Sequence, residues 1–438
     1  MSSSSRTIER LDATFDHENL VANAGLIVAA TLMARLGLET LIDSRVRTGS
    51  ANPGRKLLTL VAAMLAGATH IDHVDIVRAG ATQRVLGFVV AAPSTVGTFL
   101  RTFTFGHLRQ LDAVLGQALA RAWRLGAGPG EAALVIDLDS TITEVHGKAK
   151  GGAAYGYTRQ LGYHPLLATR ADTGEVLFSR LRKGSAGSSR GVVRFVDELV
   201  AVLARAGATA AMTVRADAGF WSWKLIDRLN AHGIAWSITV TRQAAITKAI
   251  EAIPETDWID IPYTLNGRAQ VAETTYTTSK RSRGKGRSVR LVVRRTRFTD
   301  RAQQRLWPDW RHHAFITNTT TDPVTADAFH RNHAVVELAI RDLKEGAGLE
   351  HMPSGNFHAN GAWLAAGVLA HNINRWTLAL AGQPPITNQT IRTRLITLAA
   401  VLVNRSGQPT LRLPARWPWA DTFTTALTSI RALPAPSG

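Results

Sequence analysis

The stretch Leu134-Val135-Ile136-Asp137-Leu138-Asp139-Ser140 decides the fold. A strand alternates its side chains between two faces, so Leu134, Ile136 and Leu138 share one face and Val135, Asp137 and Asp139 the other. Two carboxylates therefore stand on one side of an otherwise apolar strand. Burying such a pair without a cation is costly, because like charges raise each other's pKa and a strand interior is poorly solvated. A divalent metal resolves the conflict; an edge strand with its acids turned to water is the plainer alternative.

Reading outward from this strand, which extends over residues 133–143, two more strands are expected at 163–169 and 176–181. Asp172-Thr173-Gly174 supplies the hairpin signal between them. A helix over 191–206, a strand over 211–216, a helix over 221–232 and a strand over 234–240 then alternate. This order predicts a mixed sheet covered by helices, an α/β fold. From 241 to 311 the chain turns polar and β-rich, with alternation in Val271, Glu273 and Thr275 and a second strand at 289–294. Between them lies a cationic loop, Lys280 to Arg287, that contains no acid. The segment reads as a β-rich insertion. A strand at 314–318 resumes the apolar pattern, and helices at 325–345 and 358–380 follow.

On the N-terminal side, the linker Gly126-Ala127-Gly128-Pro129-Gly130 separates the strands from a stretch whose apolar residues recur three and four apart. That stretch is expected to be all helical and to bind DNA. Within it Ser94 or Thr95 can cap a helix over 95–104, whose Arg101 could meet phosphate. The resulting organisation is a flexible N-terminus (1–18), a helical domain (19–125), a core in two parts (131–240 and 312–381) around the insertion (241–311), and a C-terminal region (382–438) ending in an amphipathic helix.

The 438 residues include 51 Lys+Arg against 33 Asp+Glu, a formal charge of +18, while 45% are hydrophobic. Such a chain folds, and it attracts polyanions, nucleic acid first. It has no cysteine, which excludes disulfides, thiolate nucleophiles and Cys-based zinc sites; a metal would need carboxylates or histidines. The polar start of the chain does not read as a secretory signal, so a cytoplasmic location is expected. Apolar stretches at 20–34, 57–71 and 357–374 read as buried helices rather than membrane spans, being short or interrupted by His358, Asn360, His371 and Asn372.

Two further acids join the pair. Asp217 ends the strand Met212-Thr213-Val214-Arg215-Ala216, a position from which a rigid sheet aims a side chain into a crevice, although it could equally cap the next helix. In the helix at 325–345, Phe329, Val336, Ile340 and Leu343 form a buried stripe, and His330, His333, Glu337, Arg341 and Lys344 line an adjacent one. His330, His333 and Glu337 also have the spacing of a zinc site, which would leave Asp139 and Asp217 unexplained. Three acids from two strands and a helix suit two-metal phosphoryl transfer, with Mg²⁺ on oxygen ligands and Mn²⁺ able to substitute.

These residues, with Ala92-Pro93-Ser94-Thr95, Gly162-Tyr163-His164-Pro165, Asp217-Ala218-Gly219-Phe220 and Asp342-Leu343-Lys344-Glu345-Gly346, carry a resemblance. From about Arg55 to Leu433 the chain resembles bacterial insertion-sequence transposases of the DDE class, in the group with a β-strand insertion in an RNase H-like fold. The resemblance implies that Asp139, Asp217 and Glu337 are the catalytic, metal-binding acids, with Asp137 the alternative to Asp139, and that Lys344 is the lysine of a Y-x2-R-x3-E-x6-K signature. His330 and His333 stand at the tyrosine and arginine positions, which the family uses at DNA phosphates. It further implies Mg²⁺-dependent cleavage at terminal inverted repeats, strand transfer into target DNA, and a homodimer on paired ends near the nucleoid. A structure-selective nuclease and an inactive DNA-binding protein are the alternatives. Arg341 and the loop residues Arg281, Arg283, Lys285 and Arg287 are expected at DNA phosphates, and Trp221, Trp223, Trp307 or Trp310 could stack on a displaced base.

Overall fold

The computed structural model describes residues 11–156, 158–262, 267–278, 286–298 and 310–436. Among them runs a nine-stranded mixed sheet. In chain order its strands are β1 (Leu134–Ser140), β2 (Leu166–Arg170), β3 (Val176–Arg180), β4 (Met212–Ala216), β5 (Ala235–Thr239), β6 (Ile259–Ile261), β7 (Gly267–Thr277), β8 (Ser288–Phe298) and β9 (Arg311–Thr317). Their spatial order is β6-β7-β8-β9-β5-β4-β1-β2-β3. The pairs β1–β4 and β4–β5 are parallel, and every other pair is antiparallel.

The two parallel pairs need crossovers, and helices supply them. The main helices are α1 (Leu26–Arg35), α2 (Leu38–Arg45), α3 (Pro53–Leu65), α4 (Pro93–Arg101), α5 (Phe105–Ala122), α6 (Val192–Ala206), α7 (Trp223–Ala231), α8 (Pro323–Arg331), α9 (Val335–Gly346), α10 (Phe357–Leu380) and α11 (Ala420–Ala432). Along α6, Phe195, Val196, Leu199, Val202 and Leu203 are buried at helical spacing, each such side chain contributing roughly 1.5–3 kcal/mol of transfer free energy. α10 is apolar nearly all round and correspondingly buried over most of its length. It threads between the helical N-terminal region and the sheet, so both share one continuous core. Among the described residues no helix is long and apolar enough to cross a membrane.

The β-rich segment does not fold on itself. β7 and β8, eleven residues each, pair along their whole length, and β8 joins β9, which joins β5. The outer strands thus widen the central sheet, and α8 covers them over a small core of Ile261, Val271, Val292, Phe315 and Ala326. Arg281, Arg283 and Lys285, expected at DNA, and Trp307 lie outside the described residues.

Four local expectations are revised. The helix at 95–104 starts at Pro93, whose fixed φ suits a first helical turn, and has no side-chain cap. A helix over Ala244–Glu251 interrupts the β-rich segment. The strand expected at 163–169 splits at His164-Pro165. The single helix at 325–345 is two, α8 and α9, joined by a 3₁₀ turn at Asn332–Ala334. At the other end of the chain, Leu20–Val21 pairs with Ala400–Val401 in a small sheet, and α11 packs back on α1.

Candidate active site

Register assembles the site. β1 and β4 run parallel with Asp137 opposite Arg215 and Leu138 opposite Ala216. One step further, Asp139 and Asp217 therefore leave the same end of the sheet on neighbouring strands. Asp217 caps a short 3₁₀ turn, its Oδ1 accepting from Gly219 N at 3.0 Å, while Ser222, not Asp217, caps α7. Glu337 stands on the first turn of α9 and is exposed.

Asp217 and Glu337 both act on Asp139 electrostatically. Asp139 is pushed up to about 6, first by burial and then by the carboxylates of Asp217 and Glu337, against the Ser140 amide and His333. Burial also raises Asp217, opposed by the amides of Gly219 and Phe220 and by His333 and His164. Lys344, two turns after Glu337 on the same face of α9, donates Nζ to the Ile142 carbonyl at 2.6 Å. Burial lowers its pKa, while Glu350 and Asp139 hold it up.

Asp137 has another employment. It is 1% exposed, and Arg215 donates to both of its oxygens, Nε to Oδ1 at 2.7 Å and Nη2 to Oδ2 at 2.8 Å. His333 Nδ1 lies 2.8 Å from the same Oδ1. Arg215 also donates to the Phe329 carbonyl at the end of α8, at 2.7 Å. Every oxygen of Asp137 is thus engaged, and the cluster bolts the α8–α9 junction to the sheet. Arg215 was legible in principle, as a lone cation in an apolar strand two residues before Asp217.

His330 is drawn the other way. Its ring stacks on Phe315 at 4.1 Å and exchanges hydrogen bonds with Ser237 Oγ at 2.6 Å and Thr239 Oγ1 at 2.9 Å. Burial holds it neutral, with a pKa of about 3. Neither ring nitrogen is left for a phosphate or a metal, so the zinc arrangement of His330, His333 and Glu337 does not form and the expected DNA contact of His330 is not available. Arg287 donates to Asp227 at 2.8 Å and lies over the Trp223 ring, tied to α7 rather than free. Trp310 packs on Arg295 and Arg297, and Trp221 on Tyr276. Arg341 is exposed on α9, and Arg101, exposed on α4, donates to Thr98.

Fit to a metal divides by residue. Asp139 and Asp217 offer hard oxygen donors whose raised pKa values a cation would relieve. Among the described residues no three His, Asp or Glu side chains converge tightly enough to enclose an ion, and Asp217 and Glu337 are both exposed.

Sheet and site together define a carboxylate-bearing α/β protein with its acids at the ends of adjacent parallel strands. The chain matches the family described as transposase DDE domain group 1 over residues 4–435, and it belongs to that family. It is also similar to a solved piggyBac transposase synaptic complex with hairpin DNA, at 10% identity and a TM-score of 0.45, over 86% of this chain and 79% of that one. No curated protein matches it.

Proposed function

We propose that the protein is an insertion-sequence transposase that cleaves DNA at the ends of its element and joins the freed 3′ ends to target DNA. The observation that carries this reading is the placement of Asp139 and Asp217 at the same end of neighbouring parallel strands, with Glu337 near enough to act on Asp139, in a chain of a transposase family. The order β3-β2-β1-β4-β5, antiparallel and then parallel, supports an RNase H-like core, with β6 to β9 as its β-rich insertion.

In this reading Asp139 and Asp217, with Glu337 on the first turn of α9, would hold divalent cations, Mg²⁺ by the hardness of the donors, which would supply Lewis acidity to the scissile phosphate and to the attacking oxygen. The remaining steps belong to the chain's own residues. Asp137 and Arg215 fix His333 beside Asp139 and Asp217, and Lys344, anchored on Ile142, keeps a cation next to Asp139. Arg341 and Arg101 hold phosphates of the duplex. A homodimer on paired ends would synchronise the cuts.

Asp139→Asn, Asp217→Asn and Glu337→Gln should each abolish Mg²⁺-dependent cleavage of element-end DNA while binding to that DNA survives. Cleavage persisting in all three would overturn the reading. Cleavage without joined products in the wild type would instead identify a structure-selective nuclease.

A further inference from the structure

The helical region carries an arginine-lined pocket that the catalytic site does not use. It is a cavity of about 470 Å³ bordered by Arg35, Arg121 and Arg124, by Gln117, and by the terminal Pro434–Pro436 segment, and no acid borders it. Two of its cations are placed by the backbone. Arg121 Nη1 donates to the carbonyls of Leu36 and Gly37, at 2.6 and 3.2 Å, and Arg35 Nη2 donates to the Arg431 carbonyl at 2.7 Å. Arg124 is exposed and has no hydrogen-bond or ion-pair partner among the described residues. Burial lowers the pKa of Arg121, and the like charges of Arg124 and Arg45 lower it further, with no carboxylate opposing them. Like charges gathered without an acid are relieved by an external anion.

The pocket lies at the end of the sheet away from Asp139. Trp123, directly after α5, donates Nε1 to Glu175 in the turn joining β2 and β3. That turn adjoins Val135, whose carbonyl accepts from Ala171 N, near the start of β1. The pocket and the acids thus stand at opposite ends of β1.

We infer that Arg35, Arg121 and Arg124 form a second anchoring site for duplex DNA, which takes backbone phosphate oxygens independently of sequence and remote from the cutting end. Guanidinium groups suit this ligand because their planar forks match phosphate oxygens. Residues 19–125 as a whole hold eleven arginines and lysines against five acids, so the field around the pocket favours the same partner. The inference rests on the reading of the protein as one that handles DNA.

The test uses Arg124, whose side chain has no hydrogen bond or ion pair in the described fold to lose. Duplex DNA of arbitrary sequence is titrated into wild type, Arg124→Gln and Arg124→Glu over a series of salt concentrations. Losing one phosphate contact should make the log–log slope of affinity on salt shallower by about 0.9 in Arg124→Gln, and Arg124→Glu should bind more weakly still. Equal slopes in all three proteins overturn the inference. A parallel arm adds inorganic phosphate: if it raises the melting temperature of the wild type but not of the variants while the DNA slopes stay equal, the pocket takes a small anion and the DNA assignment fails. Cleavage is scored separately. A wild type that shows the steeper slope but never cuts sinks the transposase reading and leaves the pocket standing, whereas one that cuts with equal slopes does the reverse.

Discussion

At the scale of single residues, two aspartates two positions apart on one strand face receive opposite treatment. Asp137 is compensated by a guanidinium in full hydrogen-bonding geometry; Asp139, among the described residues, accepts only from the amide of Ser140 and lies near two other acids, Asp217 and Glu337. The first is a structural anion and the second is held at about 6 by burial and by Asp217 and Glu337. Because the unfolded value is about 3.9, the folded chain binds this proton more tightly than the unfolded chain does. The stability this confers is complete below about pH 4 and is lost as pH rises through about 6. In metal-free buffer, Asp139→Asn should therefore raise the melting temperature at pH 8 and bring little gain at pH 4. Adding Mg²⁺ at pH 8 should raise the wild type and leave the variant unchanged; equal shifts at both pH values would refute the assignment.

The alternation around Asp137 and Asp139 was legible because it depends only on the period of a strand. Which of the two acids is free was not, since that is decided by Arg215, 78 positions away, and His333, 196 positions away. His330 shows the same limit. Its spacing on a helix is local information, but the hydroxyls of Ser237 and Thr239 and the ring of Phe315 that claim it come from β5 and β9.

Among elements, α9 carries most of the site's dependence on packing. Val336, Ile340 and Leu343 bury one stripe as the sequence predicts, yet Asp342 is buried too, where periodicity shows only a polar residue. Its carboxylate accepts from Arg375 of α10 and from the Asn388 amide, the latter at 2.7 Å. Both charged side chains of this pair are less than a tenth exposed. Removing one leaves the other as an uncompensated buried charge, which costs about 3–5 kcal/mol. Asp342→Ala should lower unfolding stability by that order in urea titration, and an effect below about 1 kcal/mol would show that the pair is not shielded from water. The break between α8 and α9 was illegible for a related reason: helical spacing continues through Asn332–Ala334, and the 3₁₀ turn arises where His333 is drawn to the sheet.

For the whole molecule, the chain's two ends close on each other. Leu20–Val21 pairs with the strand at Ala400–Arg405, and Phe423, Ala426 and Ile430 of α11 enter the common core. The tail after Gly382, in which the sequence predicts an amphipathic last helix, is thus part of the helical region's packing. Deleting residues 383–438 should make the segment around α1 the first to be cut in limited proteolysis, while β1, β4 and β5 stay protected. Simultaneous loss of protection in both would mean that the helical region and the sheet unfold as one unit.

The unbroken sheet has a metrical consequence. From β6 to β1 there are six strand-to-strand steps, each about 4.8 Å, so the outer edge of the inserted strands stands roughly 29 Å from the strand of Asp139. Hydrogen bonds bridge every step and leave no hinge between. For the proposed function this sets a length: a duplex laid across those strands would span roughly nine base-pair steps, at about 3.4 Å each, between that edge and the acids.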